Sequence, residues 1–223
     1  MRHMTPNIYI LSGLGADERV FQQIDFTGAN VSFITWVPPT PDESIESYSA
    51  RLIEQITVQK PILVGLSFGG IMAVEIAKHI GTEKVVLIAS VKTRNEIPFY
   101  YRWTGALGLH KLIPACLLKQ SNIVTNWFFG AASESARNTL KHILRDTDPM
   151  FLKWAIHHIV RWKNTIAPSR IIHIHGTADR ILPVRFVAAD IRVRNGGHFM
   201  VWNQPAELAD ILSRVLQCPV RNV

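Results

Sequence analysis

The sequence has few cysteines and no long apolar run, and both absences narrow what it can encode. Its 223 residues include only Cys116 and Cys218, too few for a disulfide framework and without the spacing of a metal site, so we expect free, buried thiols. No stretch reaches the roughly 18 apolar residues that a membrane helix needs. The first apolar run, residues 8–11, is too short for the central region of a signal peptide. We therefore expect a soluble, cytoplasmic protein with no transmembrane segment.

Motifs that hold nucleotides or metals are also missing. Gly13 and Gly15 follow an apolar run, but the third glycine of a dinucleotide-binding fingerprint is absent. His173 and His175 alternate on one predicted strand, yet no third ligand has a suitable spacing for a metal ion. We therefore expect neither a cofactor nor a metal.

Acidic residues are scarce in one part of the chain. Residues 92–170 carry 12 Lys and Arg against 4 Asp and Glu, a net charge of +8, whereas the remainder carries 12 against 13, a net charge of −1. Such a field could steer an anionic substrate, or attract nucleic acid or acidic lipid without specificity. The simpler interpretation is a set of amphipathic helices with solvated basic faces, and we expect no specific nucleic-acid partner.

Short apolar runs alternate with segments of helical periodicity along most of the chain. Strands that are apolar throughout and separated by helices indicate a parallel sheet covered on both faces. The fold class is therefore α/β, with a doubly wound, mostly parallel sheet. The predicted strands are residues 7–11, 31–37, 61–64, 84–89, 170–175 and 191–193, and the predicted helices include residues 16–23, 44–56, 69–80, 184–189 and 205–216.

The alternation stops between residues 92 and 168, where no clear strand occurs and aromatic residues are frequent. Asp148 and Pro149 are suited to the N-cap and first position of a helix. We therefore expect a helical insertion at 92–168 within a core formed by 1–91 and 169–223. Its aromatic side chains would attach it to the core, and a subset would line an apolar substrate pocket.

The segment Gly65-Leu66-Ser67-Phe68-Gly69 lies between a predicted strand and a predicted helix. This Gly-x-Ser-x-Gly pattern is typical of a nucleophile elbow, in which a sharp turn presents the serine hydroxyl above the sheet. The turn crowds the backbone, which leaves no room for side chains at positions 65 and 69. Ser67 is therefore the candidate nucleophile.

A serine hydroxyl needs a base to remove its proton and an acid to orient that base. Asp179 follows the penultimate predicted strand and His198 follows the last one, so the order along the chain is Ser67, Asp179, His198. Two other interpretations remain open. Asp179 could cap a following helix, and His198 could be a buried, hydrogen-bonded residue in a glycine turn.

Three motifs make the chain resemble the α/β-hydrolase family. They are Gly65-Leu66-Ser67-Phe68-Gly69-Gly70, the Gly-x-x-Asp-x-Ile-x-Pro pattern at 176–183, and Gly197-His198-Phe199 followed by Asn203-Gln204-Pro205. The resemblance implies a helical cap between the sixth and seventh strands, which matches 92–168. It also implies an oxyanion hole from the backbone N–H groups of Phe68 and Leu14.

The chain departs from the family pattern in two places. Its early loop reads Ser12-Gly13-Leu14-Gly15 where His-Gly is usual. We also expect the first two of the usual eight strands to be missing, which leaves about six strands, all parallel.

The expected reaction is hydrolysis of a small to medium, partly apolar ester or thioester through an acyl-enzyme on Ser67. Two alternatives stay open, namely another reaction of the same fold, such as lyase or carbon–carbon bond chemistry, and slow turnover in a ligand-binding protein. The sequence leaves the oligomeric state open.

Overall fold

The computed structural model describes residues 5–114, 117 and 119–223. Its main sheet has six strands in the order β3-β1-β4-β5-β6-β7, and every neighbouring pair is parallel. This confirms the predicted α/β class and parallel sheet. The strands are β1 (Asn7–Leu11), β2 (Ile24–Asp25), β3 (Asn30–Phe33), β4 (Ile62–Leu66), β5 (Lys84–Ile88), β6 (Ile171–Gly176), β7 (Ile191–Val193) and β8 (Arg221–Asn222), of which β2 and β8 form a separate antiparallel pair.

Helices cover both faces of the main sheet because the central strands are apolar on both sides. Alternate residues of β1 point to opposite faces, so Ile8 and Ile10 belong to one buried cluster whereas Tyr9 and Leu11 belong to the other. The helices described are α1 (Ile45–Leu52), α2 (Phe68–Ile76), α3 (Phe99–Ala106), α4 (Ile123–Phe129), α5 (Glu134–Asp146), α6 (Pro149–Arg161), α7 (Met200–Asn203) and α8 (Pro205–Leu216).

Each face is covered by different helices. Helices α1, α2 and α6 contribute to the cluster that contains Tyr9, whereas α5 and α8 contribute to the cluster that contains Ile8. The sheet is therefore the middle layer of three, which is the doubly wound arrangement.

Helices α3 to α6 all lie between β5 and β6, where the sequence predicted a helical insertion. The Asp148 side chain accepts a hydrogen bond from the Phe151 N–H and Pro149 is the first residue of α6, as expected for this cap. Two tryptophans attach α6 and the residue after it to the rest of the chain. Trp162 Nε1 donates to the buried Glu75 carboxylate at 2.7 Å, and Trp154 Nε1 donates to the Glu43 carbonyl at 2.8 Å.

Three predicted elements are shorter than expected. Residues 16–23 and 184–189 form only 3₁₀ turns, at Glu18–Phe21 and Val184–Phe186. The strand predicted at 31–37 ends at Phe33, although the Ile34 N–H still donates to the Ile10 carbonyl of β1 at 2.9 Å. Thr35 donates to the Gln55 side chain and Val37 donates to the Tyr48 hydroxyl, so the chain leaves the sheet before the prolines.

Cys218 is buried and forms no disulfide with any described residue, and Cys116 lies outside the described residues. No helix within the described part of the chain is long and apolar enough to cross a membrane.

Candidate active site

Ser67 occupies a strained turn between β4 and α2. Its φ of 52° and ψ of −119° lie in a region that side-chain-bearing residues rarely adopt. A β-carbon on Gly69 would lie 2.1 Å from the Leu11 carbonyl oxygen, and one on Gly65 would lie 2.4 Å from the Gly70 Cα. The two glycines therefore let the helix start directly against the sheet, which is why the turn needs them.

The neighbouring strand β5 fixes the backbone of Ser67. The Ser67 N–H donates to the Ile88 carbonyl at 2.9 Å, and the Ser90 hydroxyl donates to the Ser67 carbonyl at 2.6 Å. These bonds hold the serine in its unusual conformation, since a strained residue persists only where its surroundings determine it.

The position of Ser67 in the sheet follows from the strand order. From β1 the chain crosses to β3 on one side and then returns to β4 on the other, so the crevice at the carboxyl ends of β1 and β4 is a topological switch point. Ser67 follows β4 and the loop with Gly13 and Leu14 follows β1. Open parallel sheets bind ligands at such a crevice.

The structure brings Ser67, Asp179 and His198 together. His198 Nε2 lies 2.8 Å from the Ser67 Oγ, and His198 Nδ1 lies 2.8 Å from Asp179 Oδ2. Because a carboxylate only accepts hydrogen bonds, Nδ1 carries the proton and Nε2 is free to accept the Ser67 hydroxyl proton. Asp179 and His198 are buried, whereas Ser67 is partly exposed.

Asp179 makes the bonds expected of an orienting acid and also organises its own loop. Its Oδ1 accepts hydrogen bonds from the N–H groups of Ile181 at 2.9 Å and Leu182 at 2.8 Å. Burial opposes ionisation, but His198 and the Leu182 N–H outweigh it and hold the pKa of the Asp179 carboxyl below its ordinary value. Asp179 is therefore a carboxylate at neutral pH.

Two fully buried histidines lie behind Asp179. His175 Nε2 donates to the Leu182 carbonyl at 2.8 Å and lies 3.5 Å from Asp179 Oδ2, while His175 Nδ1 lies 3.2 Å from His173 Nε2. Burial lowers the pKa of both imidazoles, and that of His173 falls to about 3. Both rings are neutral at pH 7. Among the described residues, no group of three or more His, Cys, Asp and Glu side chains could hold a metal ion.

Phe68 and Leu14 belong to two turns that meet at Ser67. Phe68 opens α2 directly after Ser67, and a β-carbon on Gly13, next to Leu14, would lie 3.8 Å from the Ser67 Cβ. Neither N–H donates a hydrogen bond to any residue within 5–114, 117 or 119–223. Both are therefore donors available to a bound oxygen.

An apolar cavity of about 510 Å³ is lined in part by the Ser67 and His198 side chains. The few other polar groups in its wall include Tyr101, whose pKa is raised to about 12 by burial, and Thr104. Most of the wall comes from apolar side chains of the β1 loop and of α3 to α6, among them Leu14, Leu140, Ile143, Leu152, Ile156 and Ile159.

Sequence reasoning missed three residues that contact or line this site. Ser90 follows β5, which pairs with β4. A polar residue at this strand end is a signal, but it can be recognised only once the strand order is known. His175 was considered only as a metal ligand. Tyr101 was one of many aromatic residues, and nothing in its spacing distinguishes it.

Comparison with known proteins gives a family match. A sequence model of the alpha/beta hydrolase family matches residues 9–211. No curated protein matches the sequence.

Solved structures of the same fold cover nearly the whole chain at low identity. A bromoperoxidase from Bacillus anthracis is 19% identical with a TM-score of 0.67, covering 96% of this chain and 93% of its own. A thermophilic esterase from Thermogutta terrifontis is 14% identical with a TM-score of 0.65, covering 96% and 91%. An N-acyl homoserine lactonase in complex with N-hexanoyl homoserine is 13% identical with a TM-score of 0.68, covering 97% and 90%. At these identities the likeness concerns the fold.

Proposed function

Since the chain belongs to the alpha/beta hydrolase family, we propose that it is a serine hydrolase that cleaves carboxylic esters or thioesters through an acyl-enzyme on Ser67. The observation that carries the proposal is the continuous pair of hydrogen bonds from Ser67 through His198 to Asp179. Hydrolases among proteins of this fold, including the esterase and the lactonase, agree with the reaction class.

In this mechanism His198 Nε2 takes the Ser67 proton while the Oγ attacks the substrate carbonyl carbon. The resulting imidazolium is stabilised by the Asp179 carboxylate, and the oxyanion accepts hydrogen bonds from the Phe68 and Leu14 N–H groups. His198 then returns the proton to the leaving alcohol or thiol. Water repeats the sequence on the acyl-enzyme and releases the acid.

The cavity indicates the kind of acyl or alcohol group. Its volume of about 510 Å³ falls within the usual range for small-molecule sites, and its wall is mostly aliphatic. We therefore assign a small to medium, partly apolar substrate. In this proposal residues 92–168 form the cap that closes the cavity, and the protein acts in the cytoplasm without a specific nucleic-acid partner.

Labelling with a fluorophosphonate probe tests the nucleophile. The parent protein should be labelled at Ser67, whereas Ser67→Ala should not be labelled at all. Ser135→Ala is a matched control because Ser135 is exposed on α5, away from the cavity wall. Equal labelling of the parent and Ser67→Ala would refute the assignment.

A panel of p-nitrophenyl esters of increasing acyl length, with matching thioesters, then tests the reaction. We expect turnover that rises with acyl length and falls once the chain exceeds the cavity. If Ser67 is labelled but no member of the panel turns over, ester hydrolysis is wrong, and the site serves another reaction of this fold or only binds a ligand.

A further inference from the structure

Exposed apolar side chains are concentrated in one stretch of the molecule. Eleven of the 14 exposed large hydrophobic side chains in the described part of the chain lie within residues 99–128. The exposed fraction is 65% for Trp103, 78% for Leu112 and 87% for Ile123. Ten of the eleven form what we call the apolar rim: Phe99, Trp103, Leu107, Leu109, Leu112, Ile113, Ile123, Val124, Trp127 and Phe128.

The apolar rim borders the cavity that contains Ser67. Leu109 and Ile113 line the cavity and are nevertheless 46% and 41% exposed, so the cavity reaches the surface at these residues. Phe129, the last residue of α4, lines the same cavity directly after Trp127 and Phe128. Exposed apolar side chains in such number beside a cavity indicate a surface that contacts something other than water.

The charged residues within the stretch that carries the apolar rim have one sign. No Asp or Glu occurs between Glu96 and Glu134, whereas Arg102, Lys111 and Lys119 do. The stretch itself therefore contributes no carboxylate that would repel an anionic partner, although the exposed Asp42 lines a surface pocket together with Lys111.

Two further cations stack on aromatic rings at or beside the rim. The Arg180 guanidinium lies 4.4 Å from the centre of the Trp127 ring. Arg185 lies 5.0 Å from the Phe186 ring, which in turn lies 6.2 Å from the Phe99 ring. Cations thus lie against aromatic side chains at two points at or beside the rim.

We propose that the apolar rim docks on the surface of an anionic phospholipid bilayer, with its aromatic and leucine side chains in the headgroup region and its cations on the lipid phosphates. Tryptophan, phenylalanine and leucine beside lysine and arginine are the composition of surfaces that lie in a membrane interface. A second copy of the chain fits less well, because two segments of net charge +8 would face each other. Docking directs the open side of the cavity toward the lipid.

Co-sedimentation with vesicles tests the docking independently of the proposed function. The protein used is Ser67→Ala, so that no lipid can be hydrolysed during the measurement. We expect binding to vesicles that contain phosphatidylglycerol, at least about tenfold weaker binding to phosphatidylcholine alone, and a loss of affinity as salt is raised.

Variants separate the apolar and charged contributions. Trp103→Ser combined with Leu112→Ser should weaken binding at least about tenfold, and Lys111→Gln combined with Arg185→Gln should weaken it about tenfold on anionic vesicles only. Ile166→Ser and Arg214→Gln are matched controls, since both side chains are exposed outside the rim and should bind as the parent does. Circular dichroism checks that each variant is folded.

Three results would overturn the proposal: no binding to either vesicle type, binding equal on both, or binding unchanged in the Trp103 and Leu112 variant. A dimer in solution that the same substitutions dissociate, without vesicle binding, would assign the rim to self-association. None of these results depends on fluorophosphonate labelling or ester turnover, so docking and hydrolysis can fail separately.

Discussion

The carboxyl edge of the sheet and the helices between β5 and β6 enclose the same cavity, but they are built in opposite ways. At the sheet edge, hydrogen-bond donors and acceptors lie within 3 Å of each other. Asp179 alone accepts three hydrogen bonds, and the Ser67 backbone is held by β5. On the helical side the wall is aliphatic, and its outer surface exposes residues such as Trp103 and Ile123.

The difference separates two tasks. Hydrogen bonds at the sheet edge are directional and hold one arrangement of side chains, so small changes there should abolish activity. Apolar contacts have no direction, so the helical wall can change shape while the chemistry persists. Specificity should therefore reside in α3 to α6 and reaction type in the strand ends.

The largest effect is expected at Asp179. In Asp179→Asn an amide replaces the carboxylate, so that Nδ1 of His198 loses its anionic acceptor, and we expect kcat to fall about 10⁴-fold with little change in KM. Steady-state kinetics on the best ester measures this. Asp190→Asn is the control, because Asp190 also accepts a backbone N–H beside β6 but does not contact His198. A fall of less than tenfold would show that the sheet edge is not the sensitive region.

A stability effect is expected at Gly69. The Gly69→Ala β-carbon would meet backbone atoms of Leu11 and Ser12, which cannot move without shifting β1, so we expect a loss of about 3 kcal/mol. Urea unfolding measures it. In Gly81→Ala the new methyl group has no atom within 4 Å, so its free energy of unfolding should change by less than about 1 kcal/mol. Equal losses in the two variants would contradict the close approach of α2 to the sheet.

The buried histidines predict a pH dependence. The pKa of His173 is about 3 in the folded protein and near 6.5 in the unfolded chain. The contribution of this neutral imidazole to the free energy of unfolding is therefore complete above pH 6.5 and is lost as pH falls toward 3.

Below pH 6.5 the unfolded chain binds a proton that the folded chain does not. Stability should fall by up to about 1.4 kcal/mol per pH unit from this group. Urea titrations between roughly pH 6 and pH 4 should give a shallower slope for His173→Asn than for the parent. In His79→Gln an exposed histidine is replaced, so the slope of stability against pH should equal that of the parent. Parallel slopes for all three proteins would exclude His173 as the cause.

The smallest effect is expected on the helical side. Ile159→Phe narrows the cavity, so the ratio of octanoate to butanoate turnover should fall about tenfold while butanoate kcat stays near that of the parent. Ile166→Phe, exposed and outside the cavity wall, is the control. If butanoate and octanoate turnover fall together, the helical wall positions the catalytic groups as well, and the separation of tasks is wrong.

How far the sequence predicts the molecule also differs between the two regions. The apolar strands and the glycines at 65 and 69 carry local signals, so the sheet, the elbow and the residues after each strand were readable. Periodicity placed Leu152, Ile156 and Ile159 on one face of a helix, and all three line the cavity. Which side chains of α3 face Ser67 depends on packing, so Tyr101 was not separable from the aromatic residues around it. The early end of β3 had the same origin, because beyond Ile34 the chain is held by the side chains of Gln55 and Tyr48, which accept the N–H groups of Thr35 and Val37.

The three-residue strand β7 has a consequence for biosynthesis. It forms one edge of the sheet and pairs only with β6, yet His198 follows it by five residues and contacts Ser67 across 131 positions of sequence. All six strands of the main sheet and the turn at Ser67 are synthesised before His198 is. In the proposed mechanism Ser67 therefore has no base until residue 198 has been added, and activity would report the synthesis of that segment.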